Sequence, residues 1–173
     1  MTIAELIARA LKENSIRVLV FGPSPTSTSP EPLTQGLRKK RIEIRDALRD
    51  LGHQAEFPED LIDPTQPPPF NNPVAQEKLL MADYDLVMVL IGPPGTNVEL
   101  GMIASDQDLC RKSSLFLCRD HLGGLAHQAC LFAEQFDAHF AQFTYPEDLV
   151  DCHLLTAAEE MIRKVQAGKT FFS

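Results

Sequence analysis

No run of apolar residues in this 173-residue chain approaches the roughly 20 needed to cross a bilayer. The N-terminus, Met1-Thr2-Ile3-Ala4-Glu5, lacks the basic segment and apolar stretch of a secretory signal, so the sequence predicts a cytoplasmic protein with no membrane partner. Cysteine is sparse. Cys110, Cys118, Cys130 and Cys152 stand singly, without CxxC or CxxH spacing, which predicts buried thiols and neither a zinc site nor a disulfide framework. The histidines His53, His121, His127, His139 and His153 are equally dispersed, so no bound metal is expected. Basic residues are outnumbered, 16 against 24 acidic, for a net charge of −8. That balance argues against a chain whose main task is gripping a nucleic-acid polymer by its phosphates. The glycine fingerprint of Rossmann enzymes and the P-loop are both missing, which leaves redox and ATPase roles without support and no cofactor to expect. There is no internal repeat, and 44% hydrophobic content suffices for one core, so a single domain over 1–173 is expected.

What is present is an alternation of short apolar strands with amphipathic helices. Thr2 and Glu5 are spaced as a capping box, and Ile3, Leu6, Ile7, Ala10 and Leu11 recur at helical spacing, predicting an extra N-terminal helix within 1–14. Ile16 to Phe21 reads as a first strand closed by Gly22-Pro23, followed by a Pro/Ser/Thr-rich loop to about Pro32. A helix is expected from Gln35 to Leu51, stopped by Gly52, with a second strand at His53 to Phe57. Six prolines between Pro58 and Pro73 mark a long loop, and Asn72-Pro73 reads as an N-cap and first helical residue. That helix should reach about Ala82. Leu86 to Ile91 is apolar at every position, as a strand covered on both faces requires. A helix from Thr96 to about Leu109, a strand at Ser113 to Cys118, a helix at Leu122 to Phe136, a strand at Phe140 to Thr144 and a closing helix at Pro146 to Ala167 complete the series. The pattern predicts an α/β fold with a doubly wound, parallel, five-stranded sheet of flavodoxin-like order. Ligands of such sheets sit beyond the carboxyl ends of the strands, which singles out the loops after the first three.

The stretch from Asp83 through Gly92-Pro93-Pro94-Gly95-Thr96-Asn97-Val98-Glu99-Leu100-Gly101-Met102 ends a buried strand at a glycine-rich turn. Thr96 and Glu99 have the spacing of a capping box, in which the hydroxyl bonds a free N–H and the glutamate reaches back. The positive end of the helix would also hold Glu99 ionised, as a covalent nucleophile must be near pH 7. Gly95 and Gly101 would allow a ligand or neighbouring backbone to come close.

This strand–Gly-Thr-x-x-Glu-Leu-Gly pattern resembles that of nucleoside 2-deoxyribosyltransferases and the related deoxynucleotide and CMP N-glycosidases, flavodoxin-like enzymes that cleave nucleoside N-glycosidic bonds. The resemblance runs from Val18-Leu19-Val20-Phe21-Gly22-Pro23 to roughly Cys118. It implies that Glu99 attacks the anomeric carbon and that a second acid lies on the helix before the third strand, where Glu77 stands eight positions ahead of Asp85. Glu77 would lie about one turn into its helix, on the same side of the sheet as Glu99, and would handle the proton of the departing base. Gly22, Pro23, Ser24, Gly95, Thr96 and Met102 are the expected substrate contacts, and the substrate a small nucleoside or nucleotide. Asp83 and Asp85 belong to the opposite end of the strand, roughly 20 Å away. The chain departs from the transferases at Leu19 and Val20, where they carry tyrosine, and at Pro93 and Pro94, where they carry aspartate. It also lacks their C-terminal asparagine in Lys169-Thr170-Phe171-Phe172-Ser173. A hydrolase loses less from these gaps than a transferase. Two rivals stand beside it: a TIR-like NAD glycohydrolase of signalling or defence, and a nucleotide-binding module without chemistry.

Outside this motif, Arg38-Lys39-Lys40-Arg41 reads either as a phosphate clamp or as a solvated face, with at most two of the four pointing inward. Ser24 to Ser29 could hold a phosphate or sugar through hydroxyls and backbone N–H groups, or be an ordinary loop, and Gly123-Gly124 reads equally as a ligand contact or a simple turn. The resemblance implies a homodimer or higher homo-oligomer. The apolar stripe of Ile3 to Leu11 would serve that interface or cover the domain's own sheet.

Overall fold

The computed structural model describes residues 2, 3, 5, 14–92, 96–150 and 153–172. The strands are β1 (Arg17–Phe21), β2 (Gln54–Glu56), β3 (Leu86–Ile91), β4 (Ser113–Cys118) and β5 (His139–Phe143). Between and after them run helices α1 (Pro32–Asp50), α2 (Pro73–Asp83), α3 (Asn97–Ala104), α4 (Gln107–Arg111), α5 (Leu125–Glu134), α6 (Glu147–Val150) and α7 (His153–Phe172), with 3-10 turns at Pro58–Asp60 and Arg119–His121. All strand pairs are parallel and their order is β2-β1-β3-β4-β5, the doubly wound flavodoxin-like arrangement. Strand order reverses between β1 and β3, where Val18 pairs with Leu86 and Phe21 with Val89.

Every residue of β3 and β4 is buried, because helices cover both faces. Val18, Val20, Leu86, Met88, Leu90 and Phe116 point to one face, under Leu37, Ile44 and Leu48 of α1 and Ala158 and Ile162 of α7. Leu19, Phe21, Val87, Val89, Ile91 and Leu117 point to the other, against Met81 of α2, Leu100 and Ile103 of α3 and Cys130 of α5. Each of the Val, Leu, Ile, Phe and Met side chains contributes about 1.5–3 kcal/mol on leaving water, so these two faces supply most of the drive to fold. Cys110, Cys118 and Cys130 are buried free thiols, as expected, and Cys152 lies outside the described residues. Among the described residues no helix is long and apolar enough to cross a membrane.

Several boundaries differ from the sequence pattern for identifiable reasons. Helix α1 starts at Pro32 rather than Gln35, because the Glu31 carboxylate accepts the N–H groups of Leu33 and Thr34, at 3.1 and 2.6 Å. The single helix expected from Thr96 to Leu109 is two. Asp106 turns extended and its Oδ1 accepts the N–H groups of Asp108 and Leu109, starting α4 afresh. The helix expected from Leu122 is shorter at both ends, since a 3-10 turn at Arg119–His121 precedes it. The closing helix is divided into α6 and α7, and positions 151–152 between them lie outside the described residues. Gly52 follows α1 at φ 87°, and Asn72 Oδ1 caps α2 by accepting the Val74 N–H at 2.9 Å, both as the sequence requires. Most of the N-terminal helix lies outside the described residues. Its capping box is present, with Thr2 N–H donating to Glu5 Oε2 at 2.6 Å and Glu5 N–H to Thr2 Oγ1 at 3.2 Å.

Candidate functional site

At the point where strand order reverses, the ends of β1 and β2 are held together by one side chain of α1. Arg41 is 1% exposed. Its Nε and Nη2 donate to Val20 O at 2.9 and 2.7 Å, and its Nη1 to Gly22 O and Pro23 O, each at 3.1 Å. The same guanidinium meets Glu59 in the 3-10 turn after β2 and lies over the Phe57 ring, 4.2 Å from its centroid. Backbone and side chain are matched here. Gly22 has φ 154°, and a Cβ on it would stand 3.2 Å from Arg41 Cδ and 3.3 Å from Leu90 O. At Gly92 a Cβ would meet Leu37 Cδ1 at 2.9 Å, so any other residue there would force the Leu37 side chain of α1 to shift.

Two carboxyl groups share this end of the sheet with Arg41 and Glu59. Glu99, in the first turn of α3, is half-buried, and its Oε2 is fully buried without a hydrogen-bond partner. Burial pushes its pKa above the ordinary carboxylate value and Glu59 adds to that, while its own backbone N–H and the Arg41 charge oppose them. Glu77, half-buried on α2, is pushed up to about 7 by burial, then by the negative charges of Glu99 and Glu59. Glu77 is thus the group that keeps its proton against the charge of Glu99. Segments 57–77 and 92–102 contain no Lys, Arg or His, and the cation whose charge acts on Glu99 is Arg41 of α1.

The proline-rich loop is tied down beside Glu77. The Gln76 side chain accepts the Asp63 N–H at 2.7 Å and donates to Asp63 O at 2.7 Å and Phe70 O at 2.5 Å. Behind it a cavity of about 380 Å³ is lined by Leu61, Gln66, Phe70, Leu79 and Leu80 among others. An ordered wall therefore flanks Glu77.

The structure brings Glu77 and Glu99 within electrostatic reach of each other and treats the remaining expected residues unevenly. The capping box at the start of α3 is not formed: Thr96 is buried and its hydroxyl donates to Gly92 O at 3.2 Å, four residues back. Burial of the Glu99 carboxyl raises its proton affinity, opposing the pull toward the ionised form expected from the helix end. Gly95, with Pro93 and Pro94, lies outside the described residues. Gly22 and Pro23 turn their carbonyls to Arg41, and Ser24 is exposed with its hydroxyl 3.0 Å from that of Thr26. Met102 is half-buried against the second-face cluster. Asp85 does mark the far end of β3, its Oδ2 accepting the Arg17 N–H at 2.7 Å.

Of the basic run, two residues point inward, as expected, but neither is a free clamp. Lys40 pairs with Glu43 at 2.6 Å and Arg41 is consumed by carbonyls and Glu59. Glu59 went unrecognised in the sequence. The available signal was its place just past the carboxyl end of β2, in one of the three loops the topology singles out. Among the described residues no group of His, Cys, Asp and Glu could hold a metal ion. The constellation can supply one carboxyl that holds a proton near neutrality and one that offers a partnerless oxygen. No protein-family model and no curated protein sequence matches this chain.

Proposed function

We propose that this protein cleaves the N-glycosidic bond of a nucleoside or nucleotide by covalent catalysis. The observation that carries the reading is the pairing of Glu99, with its buried and partnerless Oε2, with Glu77, whose pKa is raised to about 7. No protein donor engages Glu99 Oε2, so hydrogen bonding within the protein does not blunt its lone pairs. A carboxyl titrating near 7 can deliver a proton and take one back at neutral pH.

In the first step the Glu99 carboxylate attacks the anomeric carbon. The electron pair of the C–N bond leaves with the base, which takes the Glu77 proton, and a glycosyl ester on Glu99 remains. In the second step the Glu77 carboxylate removes a proton from water as that water attacks the ester, releasing the sugar and restoring both groups. The loss of the transferases' strand-one tyrosine and pre-motif aspartate favours water as acceptor over a second base.

The test is chromatographic detection of free base after incubation with deoxynucleosides, their monophosphates, CMP and NAD. Base release that disappears in Glu99→Gln supports the mechanism. Release that persists in Glu99→Gln overturns it, and nicotinamide release from NAD alone moves the assignment to the NAD glycohydrolase class.

A further inference from the structure

The two members of the basic run that face outward line a groove of their own. On the outer side of α1 a concavity of about 550 Å³ is bounded by Pro32, Gln35, Gly36, Arg38, Lys39, Ile42 and Tyr145. A second one of about 250 Å³ continues it past Lys39, Lys40 and Tyr145 to Leu149. The shared floor is Gly36, where a Cβ would stand 3.0 Å from Leu149 Cδ1 and 3.5 Å from Tyr145 Cε2. Glycine keeps the groove open beside the phenol ring. Glu59, Glu77 and Glu99 line neither concavity.

The charges in this groove are largely unanswered. Lys39 has no acidic partner among the described residues, and Arg38 Nη1 donates to the uncharged carbonyl of Ser27. Glu43 is the one acid in the lining and is taken by Lys40 at 2.6 Å. Two cations outside any ion pair among the described residues thus stand beside an aromatic ring, in a chain of net charge −8 whose nearest acids, Glu31, Glu147 and Asp148, flank the lining in sequence.

We infer that this groove binds a phosphorylated aromatic small molecule of mononucleotide type, its phosphate between Arg38 and Lys39 and its ring against Tyr145. Arginine and lysine supply donors and charge to a phosphate, and a phenol face accepts a flat ring. Because Arg38 also holds Ser27 O, occupancy would bear on the β1–α1 loop that leads from Gly22. The site is separate from the carboxylate pair and needs none of its chemistry.

Calorimetric titration of the intact Glu99→Gln protein with AMP, adenosine and inorganic phosphate tests this, since that variant removes the proposed turnover and leaves the groove unchanged. AMP should bind at least tenfold more tightly than either fragment, weaken with added salt, and lose at least tenfold in affinity when Lys39→Glu or Arg38→Gln is added. Tyr145→Ser should weaken AMP and leave inorganic phosphate unaffected. AMP binding unchanged by Lys39→Glu and Arg38→Gln, or no binding of AMP at all, overturns the assignment. Inorganic phosphate binding as tightly as AMP overturns the aromatic half of it.

Discussion

Arg41 and Glu59 meet in a two-pronged ion pair, Nη1 to Oε1 and Nη2 to Oε2 both at 2.7 Å, with the arginine 1% exposed and the glutamate side chain 38% exposed. The arginine brings its charge into the protein on three backbone carbonyls as well as the carboxylate, so its desolvation is offset by hydrogen bonds to neighbouring elements. This contact joins the ends of β1 and β2 beside the Glu77–Glu99 pair.

Arg41→Met should therefore destabilise the protein by about 3–5 kcal/mol, leaving Glu59 and three carbonyls without their donor. Arg41→Lys should recover little of that loss, because a single ammonium cannot match the planar fork. Urea unfolding of the three proteins measures both differences. A lysine variant as stable as the native chain would show that charge alone, without the fork, holds this corner.

Glu77 gives a stability change whose sign depends on pH. Its folded pKa, about 7, lies above the ordinary value of 4.5, so the folded state disfavours its ionised form. Its share of stability is complete below about 4.5 and is lost as pH rises through 7. Glu77→Gln removes the ionisation, so its melting temperature should exceed that of the native protein at pH 8, with the gap closing toward pH 4. Thermal melts across that range read it directly, and a gap of constant size would mean that packing, not ionisation, sets the difference.

The raised proton affinities of Glu77 and Glu99 would also shape the rate of the proposed reaction. In the proposed mechanism base release needs Glu99 ionised and Glu77 protonated, so kcat/KM should rise from acid pH as Glu99 loses its proton and fall above about 7 as Glu77 does. The falling limb should vanish in Glu77→Gln, with the rate reduced roughly 10²–10⁴-fold on substrates whose base needs the proton. A pH–rate series on both proteins checks this. A falling limb that survives in Glu77→Gln would assign it to another group.

Much of the fold was legible along the chain. The range of β3 follows from a run apolar at every position, and the end of α1 and the start of α2 follow from Gly52 and Asn72-Pro73, because strand burial and helix capping are local demands. Glu99 could be named from its strand–turn–helix motif, and Glu77 from what the resemblance carried by that motif implies. Their relation to each other could not, because it depends on how α2 and α3 sit over the ends of β1 and β3. Tertiary structure alone decided that Arg41 turns inward as a strut while Arg38 and Lys39 face out, and that Glu59 joins the acids. It also decided that the Thr96 hydroxyl bonds Gly92 O instead of capping α3, and that burial raises the proton affinity of Glu99. Sequence patterns state which groups a segment must bury or cap. Desolvation and charge coupling arise only between segments brought together by folding, and so are written in distances that no single stretch of sequence contains.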